Sequence, residues 1–199
     1  QWRDTLFAGA LDLTLGVRID DYELLGSVDT FRGGLVYHPR AGTHLRFQYG
    51  EAFREPTVFE FETSWIILPG DSSRNLDLKP ETIATTELGL VQEFGDHQRL
   101  QITAFDSRAD ALIEFGTIKF ENTGKDRVKG LEAKYNYVGN QLLVDAGYTW
   151  IKPRKLPLGD ADIKSLNIYE HQLSVGAAYQ VADNWSMALR ANYYDDITA

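Results

Sequence analysis

The 199-residue sequence predicts an all-β chain: an antiparallel up-and-down transmembrane β-barrel fragment, about nine strands of a larger barrel. Three observations predict it. Apolar and polar residues alternate with a period of two in one segment after another, and no segment carries a helical period. Connections alternate between long and short, so in a meander every long loop falls on one side, as in transmembrane barrels. The apolar faces of most strands carry no charge, whereas the opposite faces do.

In the first strand Leu11, Leu13, Leu15, Val17 and Ile19 alternate with Asp12, Thr14, Gly16, Arg18 and Asp20. After a long connection (21–30) the second strand runs from Phe31 to His38, and Pro39 to Thr43 reads as a tight turn by its Pro and Gly. The third sets Leu45, Phe47, Tyr49 and Phe53 against Arg46, Gln48, Gly50 and Ala52, and ends at Pro56. A long loop covers about 54–81. The fourth strand follows Pro80, with Leu88, Leu90 and Phe94 opposite Thr85, Glu87, Gly89 and Glu93, and turns at 95–98.

The fifth strand begins Leu100, Ile102, Ala104, and its phase then slips. A β-bulge is expected there, returning Phe105 to the apolar face, since one extra residue reverses the alternation. A third long connection covers about 116–127. The sixth strand places Leu131, Ala133, Tyr135 and Tyr137 opposite Gly130, Glu132, Lys134 and Asn136, and Gly139-Asn140 reads as a hairpin. The seventh carries Leu142, Val144, Ala146, Tyr148 and Trp150, and a fourth long loop follows (152–168). Leu173, Val175, Ala177, Tyr179 and Val181 define the eighth, and Trp185, Met187, Leu189, Ala191 and Tyr193 the ninth.

A lipid-facing Arg or Lys at mid-bilayer costs about 2–4 kcal/mol, which keeps one face clean and leaves the other free to hold charge. Glu51 and Gln92 depart from this pattern near strand ends. Aromatic residues gather in two bands: Tyr37, Phe94, Tyr137 and Trp185 by the short turns, and Phe53, Trp150, Tyr169 and Tyr193 by the long loops. Two membrane interfaces would favour that placement. The competing reading is a soluble sandwich or lipocalin-like barrel, which alternation alone does not exclude.

Composition removes other classes. A net charge of −9 disfavours a nucleic-acid partner. The absence of Cys excludes a disulfide framework and a thiolate site. His38, His44, His97 and His171 are scattered without metal-site spacing, and no metal or cofactor site is expected. No catalytic constellation stands out. The chain opens on Gln1 without a signal segment and stops at Ala199, and is expected to be an excerpt that lacks a signal peptide and the last strands.

Tyr49-Gly50-Glu51-Ala52-Phe53-Arg54-Glu55-Pro56, Asn75-Leu76-Asp77-Leu78-Lys79-Pro80-Glu81, Glu87-Leu88-Gly89, Asn122-Thr123-Gly124, Gly130-Leu131-Glu132 and Tyr148-Thr149 occur in that order. In this order the chain resembles the barrel of TonB-dependent outer-membrane receptors. The resemblance implies a barrel of about 22 strands around a plug. It also implies uptake of iron–siderophore complexes, cobalamin or similar scarce nutrients, driven by TonB and the proton-motive force. The implied partners are the plug domain of the same parent chain, the TonB energy-transducing complex, a metal-chelate or vitamin ligand, and outer-membrane lipid. Residues 1–199 would then be a partial barrel domain without plug or TonB box. The alternative is a passive outer-membrane pore or structural barrel.

Two readings stand for the motif residues Arg54, Pro56, Asn75, Lys79, Pro80, Glu81, Glu87, Gly89, Gly130 and Glu132. The favoured one is structural: charges pair across neighbouring strands and fix the loop's exit, the prolines stop ladder pairing, and the glycines relieve crowding. The other has the charges hold a plug or guide a ligand. Phe59, Phe61, Trp65, Ile66 and Ile67 either grip the organic part of a ligand or pack against neighbouring loops. Asp71, Arg74, Arg154 and Lys155 would meet a charged ligand or stay solvated.

Overall fold

The computed structural model describes residues 1–23, 25–62, 75–117, 119–155 and 169–195. Ten strands follow one another: β1 Trp2–Leu6, β2 Leu11–Tyr22, β3 Gly26–Arg40, β4 Thr43–Arg54, β5 Glu81–Phe94, β6 Gln98–Phe115, β7 Phe120–Val138, β8 Leu142–Lys155, β9 His171–Ala182 and β10 Trp185–Tyr194. They form one antiparallel sheet in sequence order, with β1 and β10 as its edges. The strands expected from the sequence are β2 to β10. β1 was not expected: five residues carrying Arg3 and Asp4 are too short to declare a period.

Register carries the argument for the faces. Cross-strand partners share a face, and one hydrogen-bonded row runs Leu13, Leu35, Phe47, Leu88, Ala104, Leu131, Trp150. This face is bare: Ile19, Leu88 and Leu189 are 64, 61 and 77 % exposed. Among the described residues the buried large apolar side chains are Phe61 and Leu78, neither of them in the sheet. A soluble sandwich or lipocalin-like barrel would bury the apolar row, so that alternative does not account for this sheet.

The opposite face is polar and crowded. A Cβ at Gly16 would stand 2.7 Å from the Arg32 guanidinium, and one at Gly176 would stand 2.4 Å from the Asp145 carboxylate. Charges there find partners close by, Arg190 with Asp145 at 3.0 Å and Arg46 with Glu87 at 3.4 Å. The tight turn at Ala41 and Gly42 also brings His38 and His44 together on this face. Their Nδ1 atoms are 2.6 Å apart, and His38 Nε2 lies 3.0 Å from Asp12. Sequence spacing had left these histidines unrelated; the hairpin pairs them.

Four expectations change. First, the long connections at 21–30 and 116–127 are largely strand: β2 runs on to Tyr22 and β3 begins at Gly26, and β6 and β7 run on to Phe115 and from Phe120. The strands outrun the apolar band, so polar composition there marks exposure and not a loop. Second, strand lengths run from 5 to 19 residues instead of about ten. Third, no bulge returns Phe105 to the apolar face. β5 and β6 stay in register from Phe94 to Thr82, and Phe105 pairs with Glu87 and Gly130 on the polar face. Gly130 makes this possible, because a Cβ there would lie 2.4 Å from the Phe105 ring. The irregularity falls instead between Ala109 and Ile113, where Ala111 has φ 56°. Fourth, a single 3-10 turn (Phe7–Gly9) and a short α-helix, described below, are present among the described residues.

Glu51 and Gln92, the two departures noted in the sequence on the apolar face, have local tasks. β3 and β4 stop pairing beyond Arg32 and Gly50. The freed Phe31 amide donates to the Glu51 carboxylate at 2.9 Å, and the Tyr49 hydroxyl donates to the same group. Gln92 donates to the Gly42 carbonyl at 3.2 Å and accepts from Thr43 at 2.7 Å, tying down the β3–β4 turn.

Val175 lies mid-strand on the apolar face between Ala146 and Ala191, and Ser174 lies on the polar face between Gly147 and Asn192. Val175→Arg is therefore expected to cost about 2–4 kcal/mol and to impair membrane assembly far more than Ser174→Arg. The check is the fraction of protein resisting urea extraction from membranes; equal loss in both variants would overturn the face assignment.

Candidate functional site

The connection from β4 to β5 leaves the sheet through two anchors. At its start Pro56 is buried and ends the β4 ladder. Thr57 then caps a short helix, α1, Val58–Glu62. The Glu60 amide donates to the Thr57 hydroxyl at 3.2 Å, and the Thr57 amide donates to the Glu60 carboxylate at 2.6 Å. This is the reciprocal capping box of Thr-x-x-Glu, a signal legible in the sequence but missed because no long helical period follows it.

Arg54 ties this cap to the sheet. Its guanidinium donates to Glu60 at 2.9 and 3.0 Å and through Nε to Glu81, its cross-strand partner, at 2.6 Å. Glu81 also accepts from the Ile113 amide at 2.8 Å. One cation thus joins helix, β4, β5 and β6. The Arg54 contact, supported by the Thr57 amide and hydroxyl, holds the Glu60 carboxyl at about 2, below the usual 4.5, against the opposing effect of burial.

The second anchor holds the loop's return. The Asn75 amide donates to the Phe61 carbonyl at 3.2 Å, and its side chain donates to the Phe120 carbonyl at 2.8 Å. Asn122 then clamps the following residues. Its side-chain oxygen accepts from the Lys79 amide at 2.7 Å, and its side-chain nitrogen donates to the carbonyls of Lys79 and Ala111 at 2.8 and 2.7 Å. Leu78 is buried beside this clamp, at 3 % exposure. Gly124 leaves room for the register shift, since a Cβ there would stand 2.5 Å from that of Leu112. Phe59 meets Phe120 edge-on at 5.9 Å, and Phe120 meets Phe115 at 5.1 Å.

Beside the first anchor, where β3 and β4 part, lies a cavity of about 780 Å³ bordered by Arg18, Tyr22, Arg32, Glu51, Phe53 and Arg54.

An open meander with an apolar exposed face, anchored in this way, has known counterparts. Residues 2–199 match the family described as TonB dependent receptor-like, beta-barrel. The chain belongs to that family. Among solved structures it is similar to the siderophore receptor PirA from Pseudomonas aeruginosa, with a TM-score of 0.74 at 18 % identity, covering 94 % of this chain and 34 % of that one. It is also similar to the ferric-catecholate import receptor Fiu from E. coli K12 in its closed form (TM-score 0.68, 24 % identity, 85 % of this chain and 25 % of that one). A third is a variant of the ferric enterobactin receptor PfeA from Pseudomonas aeruginosa in complex with enterobactin (TM-score 0.74, 18 % identity, 93 % and 30 %). The chain spans a quarter to a third of the length of these receptors.

Within this TonB-dependent receptor barrel many of the motif residues fall at the two anchors or at crowded points of the sheet. Arg54, Pro56 and Glu81 form the first anchor; Asn75, Lys79 and Pro80 belong to the second. Glu87 pairs with Arg46, whose side chain lies over Gly89, where a Cβ would be 3.3 Å from its Nε. Glu132 lies 3.7 Å from Lys134. Of the expected ligand contacts, Phe61 is buried, whereas Phe59 is exposed. Trp65, Ile66, Ile67, Asp71 and Arg74 lie outside the described residues, as do the side chains of Arg154 and Lys155. The sequence reading missed Asn122, Thr57 and Glu60 as anchors. The capping box signals the last two; Asn122 has no short-range signal, because its partners are 11 and 43 residues away.

Two outcomes follow from the anchors. Asn122→Ala removes three hydrogen bonds and is expected to cost about 2–3 kcal/mol. Hydrogen exchange should quicken at residues 75–80 while β7 and β8 stay protected; unchanged exchange at 75–80 would refute the clamp. Because the Glu60 pKa is depressed on folding, its contribution is complete above pH 4.5 and is lost as pH falls toward about 2. A nitroxide attached through Val58→Cys should therefore gain mobility over that window, and Glu60→Gln should make it mobile at neutral pH. A signal flat with pH would disprove the anchor's charge dependence.

Proposed function

We propose that this chain is barrel wall of an outer-membrane active-transport receptor for a scarce nutrient such as a ferric siderophore, energised through TonB. The observation that carries the reading is membership of the TonB-dependent receptor family over residues 2–199. Receptors of the same fold are described as a siderophore receptor and a ferric-catecholate import receptor, which supports a ferric chelate as ligand class. Plug domain, TonB complex and lipid are the corresponding partners, and the role is transport without catalysis. The polar face would turn toward the plug, since several of its charges, Arg46 with Glu87 and Arg190 with Asp145 among them, are paired within the wall.

In this reading the β4–β5 loop is a ligand-contact element on two fixed feet. Phe59 presents an aromatic surface at its base, and Trp65, Asp71 and Arg74 supply contacts further along. Arg54, Glu60, Glu81 and Asn122 hold the feet and do not touch ligand.

The test places the intact protein in a host lacking its own siderophore receptors, under iron limitation. Growth on at least one ferric catecholate or hydroxamate is expected, and it should vanish in a host without TonB. Phe59→Ala should weaken binding of that chelate roughly tenfold, the scale of one aromatic contact worth about 1.4 kcal/mol. Growth independent of TonB would favour a passive pore, and no response to any iron chelate or to cobalamin would refute the assignment.

A further inference from the structure

The two histidines that the β3–β4 hairpin brings together are used neither by the loop anchors nor by the transport reading. Tyr37 and Leu45 are the last regular pair before the turn, so His38 and His44 stand on facing strands one step beyond it. Both side chains lie on the polar face. Their rings meet edge-on with centroids 4.8 Å apart, and the two Nδ1 atoms aim at each other at 2.6 Å. Residues six apart in sequence thus present two nitrogens to one point.

Asp12 decides which nitrogen of His38 is available. An ionised carboxylate only accepts, so the 3.0 Å contact makes His38 Nε2 the donor. The other Asp12 oxygen accepts from the Thr5 hydroxyl at 2.8 Å, which fixes the carboxylate in turn. A neutral His38 then keeps its lone pair on Nδ1, facing His44. Metal-ligating histidines are held in the same way: the outer nitrogen donates to a carboxylate, which sets the ring's orientation and strengthens the inner nitrogen as a ligand.

We propose that His38 and His44 bind a divalent transition-metal ion of the copper–zinc group through their Nδ1 atoms, with Asp12 as a positioning residue. Paired imidazoles favour these ions over Mg²⁺ and Ca²⁺, which take oxygen ligands. Bonds of about 2.0–2.1 Å at right or tetrahedral angles set two nitrogens about 2.9–3.4 Å apart, so the rings need part by less than about 1 Å. His44 gives up its Nδ1 proton and takes one at Nε2, and both imidazoles stay neutral. Among the described residues no third His, Cys, Asp or Glu joins the pair. Water fills the remaining positions, as in sites that exchange their ion or ligand and unlike closed structural ones. Asp12 also borders an open cavity of about 740 Å³ on the polar face, which gives the ion its way in. The site rests on the hairpin, not on which nutrient is carried.

The test titrates the intact, untagged protein in detergent with Cu²⁺ and follows it by electron paramagnetic resonance. One equivalent should bind in the micromolar range with hyperfine structure from two nitrogens, and His38→Asn/His44→Asn should remove that equivalent. Asp12→Ala should weaken binding about tenfold while keeping the two-nitrogen signal, and His44→Asn should weaken it further. His97→Asn and His171→Asn, elsewhere on the sheet, should bind as the unmodified protein does. A second measurement needs no variant: one equivalent of Zn²⁺ should slow hydrogen exchange at residues 38–44, and Mg²⁺ should not. Undiminished binding by the double variant, unmodified affinity in Asp12→Ala, or exchange at 38–44 unaltered by Zn²⁺ would each overturn the site.

Discussion

Everything in this sheet follows from one constraint: a backbone crossing hydrocarbon must find its hydrogen-bond partners in neighbouring strands, because the surroundings offer none. Continuous pairing from β1 to β10 meets it, and continuous pairing fixes which residues share a face. A slip of one residue in any strand would move its leucines inward and its charges into lipid. The exceptions are informative for the same reason. Where β3 and β4 separate beyond Arg32, a side-chain carboxylate, Glu51, takes the Phe31 amide that the ladder abandons. An acidic residue on an apolar face would otherwise be a fault; here it closes a ladder.

Pairing also explains how the two faces manage charge and volume. The polar face is congested, so glycines occur where a neighbour's side chain must cross: Arg32 over Gly16, Phe105 over Gly130, Asp145 against Gly176. Close quarters let carboxylates and guanidinium groups meet directly, as Arg46 does with Glu87 and Arg190 with Asp145. On the outward face beyond the apolar band, β6, β7 and β8 set Arg108 opposite Arg127 and Lys129 opposite Lys152, with Asp106 within 4.0 Å of Arg108, Arg127 and Lys129.

Much of the fold was legible because lipid imposes a strict period of two. The apolar rows of β2, β4 and β7 to β10 could be read residue by residue. What escaped had physical causes. β1 is too short to show a period. The outer halves of β6 and β7 leave the hydrocarbon, so their composition resembles loop while their backbone stays paired. Phe105 was assigned to the wrong face because hydrophobicity was weighed without the vacant volume at Gly130. In the site, Arg54 with Glu81 was foreseeable from adjacent strands. Asn122 was not, because its value lies in backbone groups brought to it by tertiary structure.

The two anchors also explain how one barrel wall can hold a long loop without dictating what that loop binds. Arg54, Glu60 and Glu81 fix the departure, and Asn75, Leu78 and Asn122 fix the return, all through contacts within the base of the loop or with the sheet. Constraining both ends removes much of the entropy of ordering the loop, and the closure cost then grows only slowly with length. Residues between the feet are therefore free to change in number and chemistry at little expense to the wall. Phe59 sits at the margin between these regimes, in an anchored helix yet exposed. A side chain held in place but still accessible is already ordered before any ligand arrives.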